Sequence, residues 1–341
     1  MQKTFEKKFD FDDIVIIPET VTEINSRSEI DIRDENGLLP IITAPMDTVI
    51  SAHNMYHFSL NGFYCCLPRC ESRKSFTTSK TLFKSFSLDE ADSLSYILSD
   101  ERQYICIDIA NGHMPKLRTI INRMKVNRPN VNLIVGNIAN PDTFMELATL
   151  GVWGVRVGIG AGAGCTTSAN TGVHYPYGSL IHECYDYKVR SGLKTKIIAD
   201  GGIKKFADII KALALGADLV MIGSVFNKSI QSSAPAYLWK LFRVRSQSTL
   251  RWLLKKKFSI YKKYRGMSTK EVHKKWGNSK LKTAEGIVRW NKIEYDLYKW
   301  TENFTDYLKS SMSYANAKNL EEFKNCKMVS LTPAAFNRFN K

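Results

Sequence analysis

The fold is decided by KIIADGGIKKFADIIKALALGADLVMIGS, residues 196–224 of a chain of 341. Two continuous apolar runs, 196–199 and 219–222, flank a segment whose apolar residues recur at helical spacing and which ends at Gly216. Continuous rather than alternating hydrophobicity indicates strands that are buried on both faces, as in a parallel sheet. The stretch therefore predicts a strand, a helix and a second strand that begins 23 residues after the first.

The same pattern recurs along the chain. Further apolar, β-branched runs end in Gly, Pro or a small polar residue at 40–46, 63–68, 104–110, 132–137 and 154–160. Seven such units favour a closed barrel over an open sheet, because an open sheet leaves two edges to protect. We therefore predict a single α/β domain over residues 1–341, a (β/α)₈ TIM barrel, with its chemistry at the C-terminal ends of the strands.

Composition excludes several classes of protein. Hydrophobic residues make up 44% of the chain and charged residues 24%, which is ordinary for a globular protein and too apolar for a disordered one. No stretch approaches the length of a membrane span, the N-terminus resembles no secretory leader, and seven cysteines are too irregularly placed for a disulfide scaffold. We therefore expect a cytoplasmic protein with no membrane partner.

The excess of basic charge is local. The formal net charge is +16, and the segment 240–282 contributes +14 of it, with 15 Lys or Arg and a single acid, Glu271. The remainder of the chain is nearly balanced. Aromatic residues interleave with the cations of this segment, a combination that suits nucleic acid or an anionic surface. The alternative is a solvated, lysine-rich surface hairpin with only weak, non-specific affinity for nucleic acid.

Three glycine-containing strand ends carry candidate chemistry. The loop GIGAGAGCTT, residues 158–167, lets the backbone approach a ligand closely and ends in Cys165, whose thiolate would lie near backbone N–H groups. Asp200-Gly201-Gly202 and Gly223-Ser224 follow the last two strands, where backbone N–H groups commonly hold a phosphate and an acid accepts ribose hydroxyls. The alternatives are a flexible turn and two tight turns with Asp200 as a helix cap. A nucleotide or a sugar phosphate is the best generic ligand.

With these motifs in their order, the chain resembles the inosine-monophosphate dehydrogenase and guanosine-monophosphate reductase family. The resemblance extends over most of the chain and rests on nine stretches, which are 9–13 with Pro18, 26–29, 45–49, 108–112, 158–167, 171–176, 200–202, 264–268 and 284–286. The family implies a cysteine that attacks C2 of the purine to form a covalent thioimidate, and a homotetramer. Its two members run opposite reactions, IMP to XMP with NAD and GMP to IMP with NADPH.

Three features favour the reductase. The span from Pro68 to Tyr104 leaves no room for the paired cystathionine-β-synthase-type (CBS) modules that dehydrogenases usually carry. No Arg-Tyr pair lies between Met267 and Glu285, where dehydrogenases place their hydrolytic flap. Residues 108–112 resemble the reductase version of that strand end, although residues 44–47 and 223–224 resemble dehydrogenases. We therefore predict NADPH-dependent deamination of GMP in purine salvage, with a compact IMP dehydrogenase and a diverged binding protein as alternatives.

The resemblance also implies residue roles. Cys165 is the nucleophile, and Thr167 and Glu285 manage protons on the departing amine. Substrate contacts are implied at Asp200, Gly201, Gly202, Gly223, Ser224, Gly266, Met267, Ser268, Ala284 and Gly286. Cofactor contacts are implied at Ser26, Arg27, Arg69, Asp108, Ile109, Ala110, Ile159 and Gly160. A monovalent cation, K⁺, is implied on the backbone of Gly160, Gly162 and Cys165.

Three departures from the family are visible. Ala163 stands where the family usually has a serine that contacts phosphate, and Ser168 stands where it usually has an arginine. The second change lies in the cation loop, so the sequence leaves open whether the chain needs potassium. The third departure is an insertion of about fifteen residues within the basic segment, at about 236–262, which we expect to be peripheral to catalysis.

Overall fold

A parallel barrel forms the centre of the molecule. A computed structural model describes residues 6–72, 79–267, 269 and 286–339. The eight strands of the barrel are β2 (Ile41–Thr43), β3 (Cys65–Leu67), β4 (Leu82–Phe86), β5 (Gln103–Asp108), β6 (Val131–Ile138), β7 (Gly154–Val157), β8 (Lys196–Asp200) and β9 (Leu219–Ile222). A short antiparallel pair, β1 (Ile14–Ile16) with β14 (Met328–Ser330), ties the two ends of the chain together.

The barrel closes between β2 and β3, the strands at the two ends of the sheet order. The strands follow the order β2-β9-β8-β7-β6-β5-β4-β3, all parallel. Ile42 bridges to Tyr64, the residue before β3, and the Tyr64 N–H donates to the Ile41 carbonyl at 3.0 Å. The (β/α)₈ prediction is confirmed, and no CBS module interrupts the barrel among the described residues.

Helices cover the outside of the barrel. They are α1 (Met55–Leu60), α2 (Arg69–Ser72), α3 (Leu88–Ser95), α4 (Pro115–Asn127), α5 (Pro141–Thr149), α6 (Thr167–Thr171), α7 (Tyr177–Ser191), α8 (Phe206–Ala214), α9 (Ser224–Asn227), α10 (Gln247–Lys255), α11 (Leu297–Tyr314), α12 (Leu320–Phe323) and α13 (Pro333–Phe339), with 3₁₀ turns at Phe11–Asp13 and Arg27–Glu29. No helix within the described ranges combines the length and the apolar character needed to cross a bilayer.

The chain that follows β9 forms a second, antiparallel sheet. Its strands are β10 (Ala236–Leu238), β11 (Phe242–Val244), β12 (Ile260–Arg265) and β13 (Val288–Lys292), in the order β11-β10-β12-β13. Helix α10 packs on this sheet through Leu250 and Leu253, which share a small apolar core of their own with Ile260. The C-terminal end of β12 leads into Gly266 and Met267 at the barrel mouth, so the sheet is anchored beside the strand ends.

Candidate active site

A cavity of about 860 Å³ opens at the C-terminal ends of the barrel strands. Its walls come from the ends of β2, β5, β6, β7, β8 and β12 and from the loops that follow them. The volume lies toward the upper end of the range for small-molecule sites. The location agrees with the position of active sites in TIM barrels.

The glycine-rich loop 158–167 forms one wall of the cavity. Gly158 has φ +126°, and a Cβ there would lie 2.5 Å from the Asp200 carbonyl oxygen, so only glycine lets this loop lie against the end of β8. The Cys165 thiol lies half-buried in the cavity and donates to Thr167 Oγ1 at 3.2 Å. A nucleophile with a hydroxyl partner in reach is thereby placed at the mouth of the barrel.

The loop is held by a second segment of chain. Gly286 pairs with Cys165 in an antiparallel bridge, the Ile287 N–H donates to the Gly164 carbonyl at 3.0 Å, and the Gly266 N–H donates to the Ile287 carbonyl at 3.1 Å. A Cβ on Gly164 would lie 2.9 Å from the Gly266 nitrogen, so the two backbones meet only because both residues are glycines. The segments 264–267 and 286–288 therefore fix the position of the cysteine.

A buried arginine links two acids across the barrel. Arg156 on β7 is 6% exposed. Its Nη1 donates to Asp108 Oδ1 at 2.6 Å, and its Nη2 and Nε donate to Asp200 Oδ2 at 2.8 and 3.1 Å. Asn137 Nδ2 adds a third donor to the same oxygen at 2.7 Å. Within the described residues Asp200 Oδ1 accepts no hydrogen bond, so this arrangement leaves one carboxylate oxygen for a ligand.

Asp108 carries a second cationic partner. The Arg69 side chain donates to the Asp108 carbonyl, and its Nε lies 3.4 Å from Asp108 Oδ2. Burial opposes ionisation of the Asp108 carboxyl, but the guanidinium groups of Arg156 and Arg69 outweigh it and hold the pKa of Asp108 below its usual range. The same acids hold the pKa of Arg156 well above its usual value against the effect of burial. Asp108 and Arg156 are therefore both charged at neutral pH.

The structure brings most of the predicted residues together. The cavity wall contains Cys165 and Thr167, the substrate residues Asp200, Gly201, Gly266 and Met267, the cofactor residues Arg69, Asp108, Ile109, Ala110, Ile159 and Gly160, and the cation residue Gly162. Of the other described residues with predicted roles, Gly202, Gly223, Ser224 and Gly286 do not line this cavity, and neither do Ser26 and Arg27, which lie near α11. Ser268, Ala284 and Glu285 lie outside the described residues.

Two of the three carbonyls predicted to hold a cation, those of Gly160 and Gly162, already have donors. Ser168 Oγ donates to the Gly160 carbonyl at 3.0 Å, and the Cys165 N–H donates to the Gly162 carbonyl at 2.9 Å. Ser168 is the residue that departs from the family. A cation bound here would compete with the loop's own hydrogen bonds, so the residues present do not fit a cation site well.

Sequence reasoning missed several residues of the wall. Arg156, Asn137, Tyr264, His113 and His174 all line the cavity. A signal existed for Arg156, because it is a lone charge within the apolar run 154–160. His113 accepts the Ala139 N–H at Nε2 (3.2 Å), so its Nδ1 carries the proton and donates to Thr143 Oγ1 at 2.9 Å. Burial lowers the pKa of His113, so this imidazole is a neutral, structural part of the wall.

Comparison with known proteins gives a consistent result. A family model described as the IMP dehydrogenase / GMP reductase domain matches residues 84–339. A GMP reductase of Streptococcus equi is 31% identical over 96% of this chain and 97% of its own length. A GMP reductase of Bacillus subtilis is 30% identical over 97% of this chain and 98% of its own, and one of Ascaris suum is 26% identical over 93% and 91%.

Proposed function

This chain belongs to the IMP dehydrogenase and GMP reductase family, and we propose that it catalyses the NADPH-dependent reductive deamination of GMP to IMP and ammonia. The observation that carries the proposal is the Cys165–Thr167 pair, 3.2 Å apart in a cavity that also contains Asp200. The near full-length similarity to GMP reductases supports the direction of the reaction. We propose a role in purine salvage, a homotetrameric assembly and a cytoplasmic location on the strength of the family resemblance.

The substrate would lie between Asp200 and Cys165. Arg156 and Asn137 both donate to Asp200 Oδ2, so Asp200 Oδ1 can accept a hydrogen bond from a ribose hydroxyl. The Gly201 backbone lies on the same wall and can approach the nucleotide closely. The purine would then extend toward Cys165 and be flanked by Met267.

The reaction uses Cys165 twice. Its thiolate adds to C2 of GMP, and the C2 amine leaves as ammonia once it is protonated, which produces the thioimidate. C2 then accepts a hydride, and the C2–S bond breaks to regenerate the thiolate. The balance is GMP, NADPH and two protons giving IMP, NADP⁺ and ammonium. Thr167 and Glu285 would relay protons to the amine, and Gly286, the chain neighbour of Glu285, is paired with Cys165.

The wall opposite Asp200 fits a nicotinamide nucleotide. Arg69 supplies a cation for cofactor phosphate, and Ile109, Ala110 and Ile159 supply an apolar surface for a ring. The reduced nicotinamide, when bound, supplies the hydride. Asp108 and Arg156 hold the position of this wall relative to the substrate acid, because one guanidinium joins the two carboxylates. No monovalent cation enters the proposal, since the Gly160 and Gly162 carbonyls already have donors.

A spectrophotometric assay tests the proposal. Consumption of reduced nicotinamide with GMP plus NADPH is compared with its production with IMP plus NAD, and NADH replaces NADPH in a parallel run. We expect turnover only in the first direction, with NADPH preferred. Robust XMP formation from IMP and NAD would instead support the dehydrogenase alternative, and no turnover with intact GMP binding would support a diverged binding protein.

Variants of two cysteines test the mechanism. Cys165→Ala should abolish turnover while GMP still binds, because the ribose and phosphate contacts lie elsewhere. Cys326→Ala is the matched control, since Cys326 is a half-buried free thiol that does not line the cavity of the described residues, and it should keep full activity. Full activity in Cys165→Ala would contradict the covalent step. Trapping of radiolabelled GMP on wild type but not on Cys165→Ala would support it.

A further inference from the structure

The basic insertion, at about 236–262, presents an exposed apolar tip at its first turn. The tip consists of Trp239, Leu241 and Phe242, at the turn between β10 and β11, and these side chains are 54%, 76% and 63% exposed. Single exposed apolar side chains are ordinary on a protein surface, but three within four residues at the end of a hairpin form a contiguous patch. Water solvates such a patch poorly, which points to a partner.

The turn that presents the tip has an unusual backbone. The Leu241 N–H donates to the Leu238 carbonyl at 3.0 Å, and the two residues between them have positive φ, +51° at Trp239 and +66° at Lys240. Such turns normally use Asn and Gly, because other residues are strained in the left-handed region. Holding a tryptophan and a lysine in this region costs the hairpin backbone strain energy, and such strain is common in functional segments.

An aromatic band continues from the tip to α10. Phe258 lies between two tryptophans, with its ring centroid 6.3 Å from that of Trp239 and 6.3 Å from that of Trp252. Trp252 is 55% exposed on the outer side of α10, whose inner side buries Leu250 and Leu253. The tip and the band therefore form one apolar face on a folded support that has its own core.

Cations surround this face, and among the described residues only Arg251 of these cations has an acidic partner, Asp296 at 2.9 Å on the N-terminal side of α11. Residues 236–262 contain eight Lys or Arg and no Asp or Glu. Seven of the eight are exposed, and they are Lys240, Arg243, Arg245, Arg251, Lys255, Lys256 and Lys257. The partner is therefore anionic. A second copy of the same face would bring two sets of these cations together, so charge repulsion opposes self-association through it.

The exposed apolar side chains of this face distinguish between two classes of anionic partner, nucleic acid and an acidic lipid bilayer. Nucleic acid offers phosphates to the cations and bases to the tryptophans, but it offers little to an exposed leucine. The boundary of a lipid bilayer accepts all of these groups, because tryptophan, phenylalanine and leucine bury in the acyl region while lysine and arginine remain with the headgroups. Acidic lipids add an attraction of their own for clustered basic residues.

We propose that the insertion, through its tip, aromatic band and surrounding cations, binds the surface of a membrane that contains acidic phospholipids. From the sequence we predicted no membrane partner, because no stretch is long enough to span a bilayer, but a surface contact needs no span. From Ile260 beside the tip to Arg265 at the barrel mouth, β12 covers roughly 17 Å at about 3.3 Å per residue. The tip thus lies at the end of the strand away from the cavity, and docking leaves the cavity accessible.

Vesicle cosedimentation of the full chain tests the proposal. Wild type is mixed with phosphatidylcholine vesicles, with vesicles that also contain phosphatidylserine, and with a single-stranded RNA oligonucleotide. We expect binding only to the phosphatidylserine vesicles, with a blue shift of tryptophan emission that persists at moderate salt because the apolar contact is not screened.

Two variants separate the apolar from the cationic contribution. Leu241→Ser with Phe242→Ser keeps every charge and should weaken vesicle binding by roughly ten-fold or more, because two large apolar side chains no longer bury. Lys255→Gln, Lys256→Gln and Lys257→Gln together should weaken it by roughly a hundred-fold, at about five-fold per lysine. Both variants should keep the wild-type melting temperature and GMP reduction within about two-fold, because the changed residues are exposed and far from the cavity.

Matched controls move the same changes to other faces. Lys7→Gln, Lys194→Gln and Lys318→Gln remove equal charge, and Leu98→Ser with Val126→Ser remove two equally exposed apolar side chains, so neither control should alter binding. Equal loss in the controls, no loss in the tip variant, or no binding to phosphatidylserine vesicles would overturn the proposal. So would RNA binding that is tighter than vesicle binding and independent of Leu241 and Phe242, since it would assign the face to nucleic acid.

Discussion

Arg156 holds the two halves of the candidate site in register. Its guanidinium contacts Asp108 on the side assigned to the cofactor and Asp200 on the side assigned to the substrate. Arginine suits this position because its planar fork binds two carboxylates at once, whereas a lysine ammonium is a point charge. Arg156 is thus a positioning residue, and it acts through the acids rather than on the reacting atoms.

Arg156→Lys should therefore affect substrate binding. We expect KM for GMP to rise by about ten-fold or more, since Asp200 loses the donors that orient it, while kcat falls less. Steady-state kinetics at saturating NADPH measure both parameters. Arg118→Lys is the control, because Arg118 forms an exposed ion pair with Glu146, and its kinetics should stay within about two-fold. An unchanged KM with a lower melting temperature would indicate a purely structural role.

Asp108 should give the protein a defined acid sensitivity. Its pKa in the folded chain lies below the value of 3.8 expected in the unfolded chain. The folded state therefore gains stability from ionised Asp108 that is fully present above pH about 4 and is lost as the pH falls through the folded pKa. Asp108→Asn should cost about 3–5 kcal/mol at neutral pH, the scale for removing one partner of a buried ion pair.

Urea unfolding at a series of pH values measures this effect. The difference in unfolding free energy between wild type and Asp108→Asn should shrink as the pH falls below about 4, because protonated Asp108 resembles asparagine. Asp100→Asn, at an exposed position, should follow wild type throughout. A difference that stays constant down to the lowest pH would show that Asp108 is not the group whose protonation matters.

Among single residues, sequence reasoning found those that belong to motifs. Cys165 follows a run of glycines and Asp200 precedes a pair of them, so their neighbours mark them. Asn137 and His113 carry no such mark, because nothing in their local sequence shows that the strand order brings them to one cavity. Asn137 lies at an irregularity in the pairing of β6 with β7, and from there its side chain reaches Asp200 on β8.

At the scale of elements, the loop 158–167 and α6 act together. Ser168, in the first turn of α6, donates to the Gly160 carbonyl, and this contact occupies one oxygen that the family would use for a cation. We expect GMP reduction to proceed at rates within about two-fold in potassium and in tetramethylammonium salts of equal ionic strength. A rate that falls at least ten-fold without potassium would show that the cation displaces the serine.

Strand β12 depends on a buried lysine. Lys262 Nζ donates to the carbonyls of Ser229, Ile230 and Ser232 and to Ser232 Oγ, all at 2.8–2.9 Å. Lys262→Met would leave the buried carbonyls of Ile230 and Ser232 without this donor, whereas the Ser229 carbonyl keeps the Ser232 hydroxyl at 3.2 Å. Each unsatisfied buried group costs about 1–3 kcal/mol, so we expect a loss of at least about 2 kcal/mol in unfolding free energy.

Chemical denaturation of two adjacent variants isolates this contribution. Lys263→Met removes the same charge one residue later, where the side chain is exposed, and should change the unfolding free energy by less than about 0.5 kcal/mol. If both variants unfold at the wild-type urea concentration, water rather than Lys262 satisfies the three carbonyls.

The pattern of hydrophobicity predicted seven of the eight barrel strands. The pattern does not predict β4, because Lys84 and Ser85 interrupt its apolar residues. Ser85 is nevertheless fully buried, and its N–H donates a hydrogen bond to Ser72 Oγ there. The antiparallel sheet β10–β13 was also missed. Its strands are short, and β12 is rich in lysine, so its burial depends on partners that lie far away in the sequence.

At the scale of the whole molecule, two architectures share one chain. The barrel contributes Cys165, Asp108 and Asp200, and the antiparallel sheet contributes Tyr264, Gly266 and Met267 from the end of β12. Burial raises the pKa of the Tyr264 phenol, so this side chain is neutral and packs beside Met46, whose sulfur accepts its hydroxyl at 3.6 Å. The sequence predicted the barrel because its period repeats, whereas the sheet occurs once and has no period.

The pairing of β10 with β12 shows how extra chain was accommodated. Leu238 and Ile260 are direct cross-strand partners, so the segment between them, which contains β11 and α10, begins and ends at points only about 5 Å apart. Closing a longer loop between such points costs little additional entropy, because that cost grows only with the logarithm of loop length. These two anchor points are therefore a suitable position for a foreign hairpin, a tag or new chain ends that leave the barrel strands unchanged, as long as Leu250 and Leu253 keep covering Ile260.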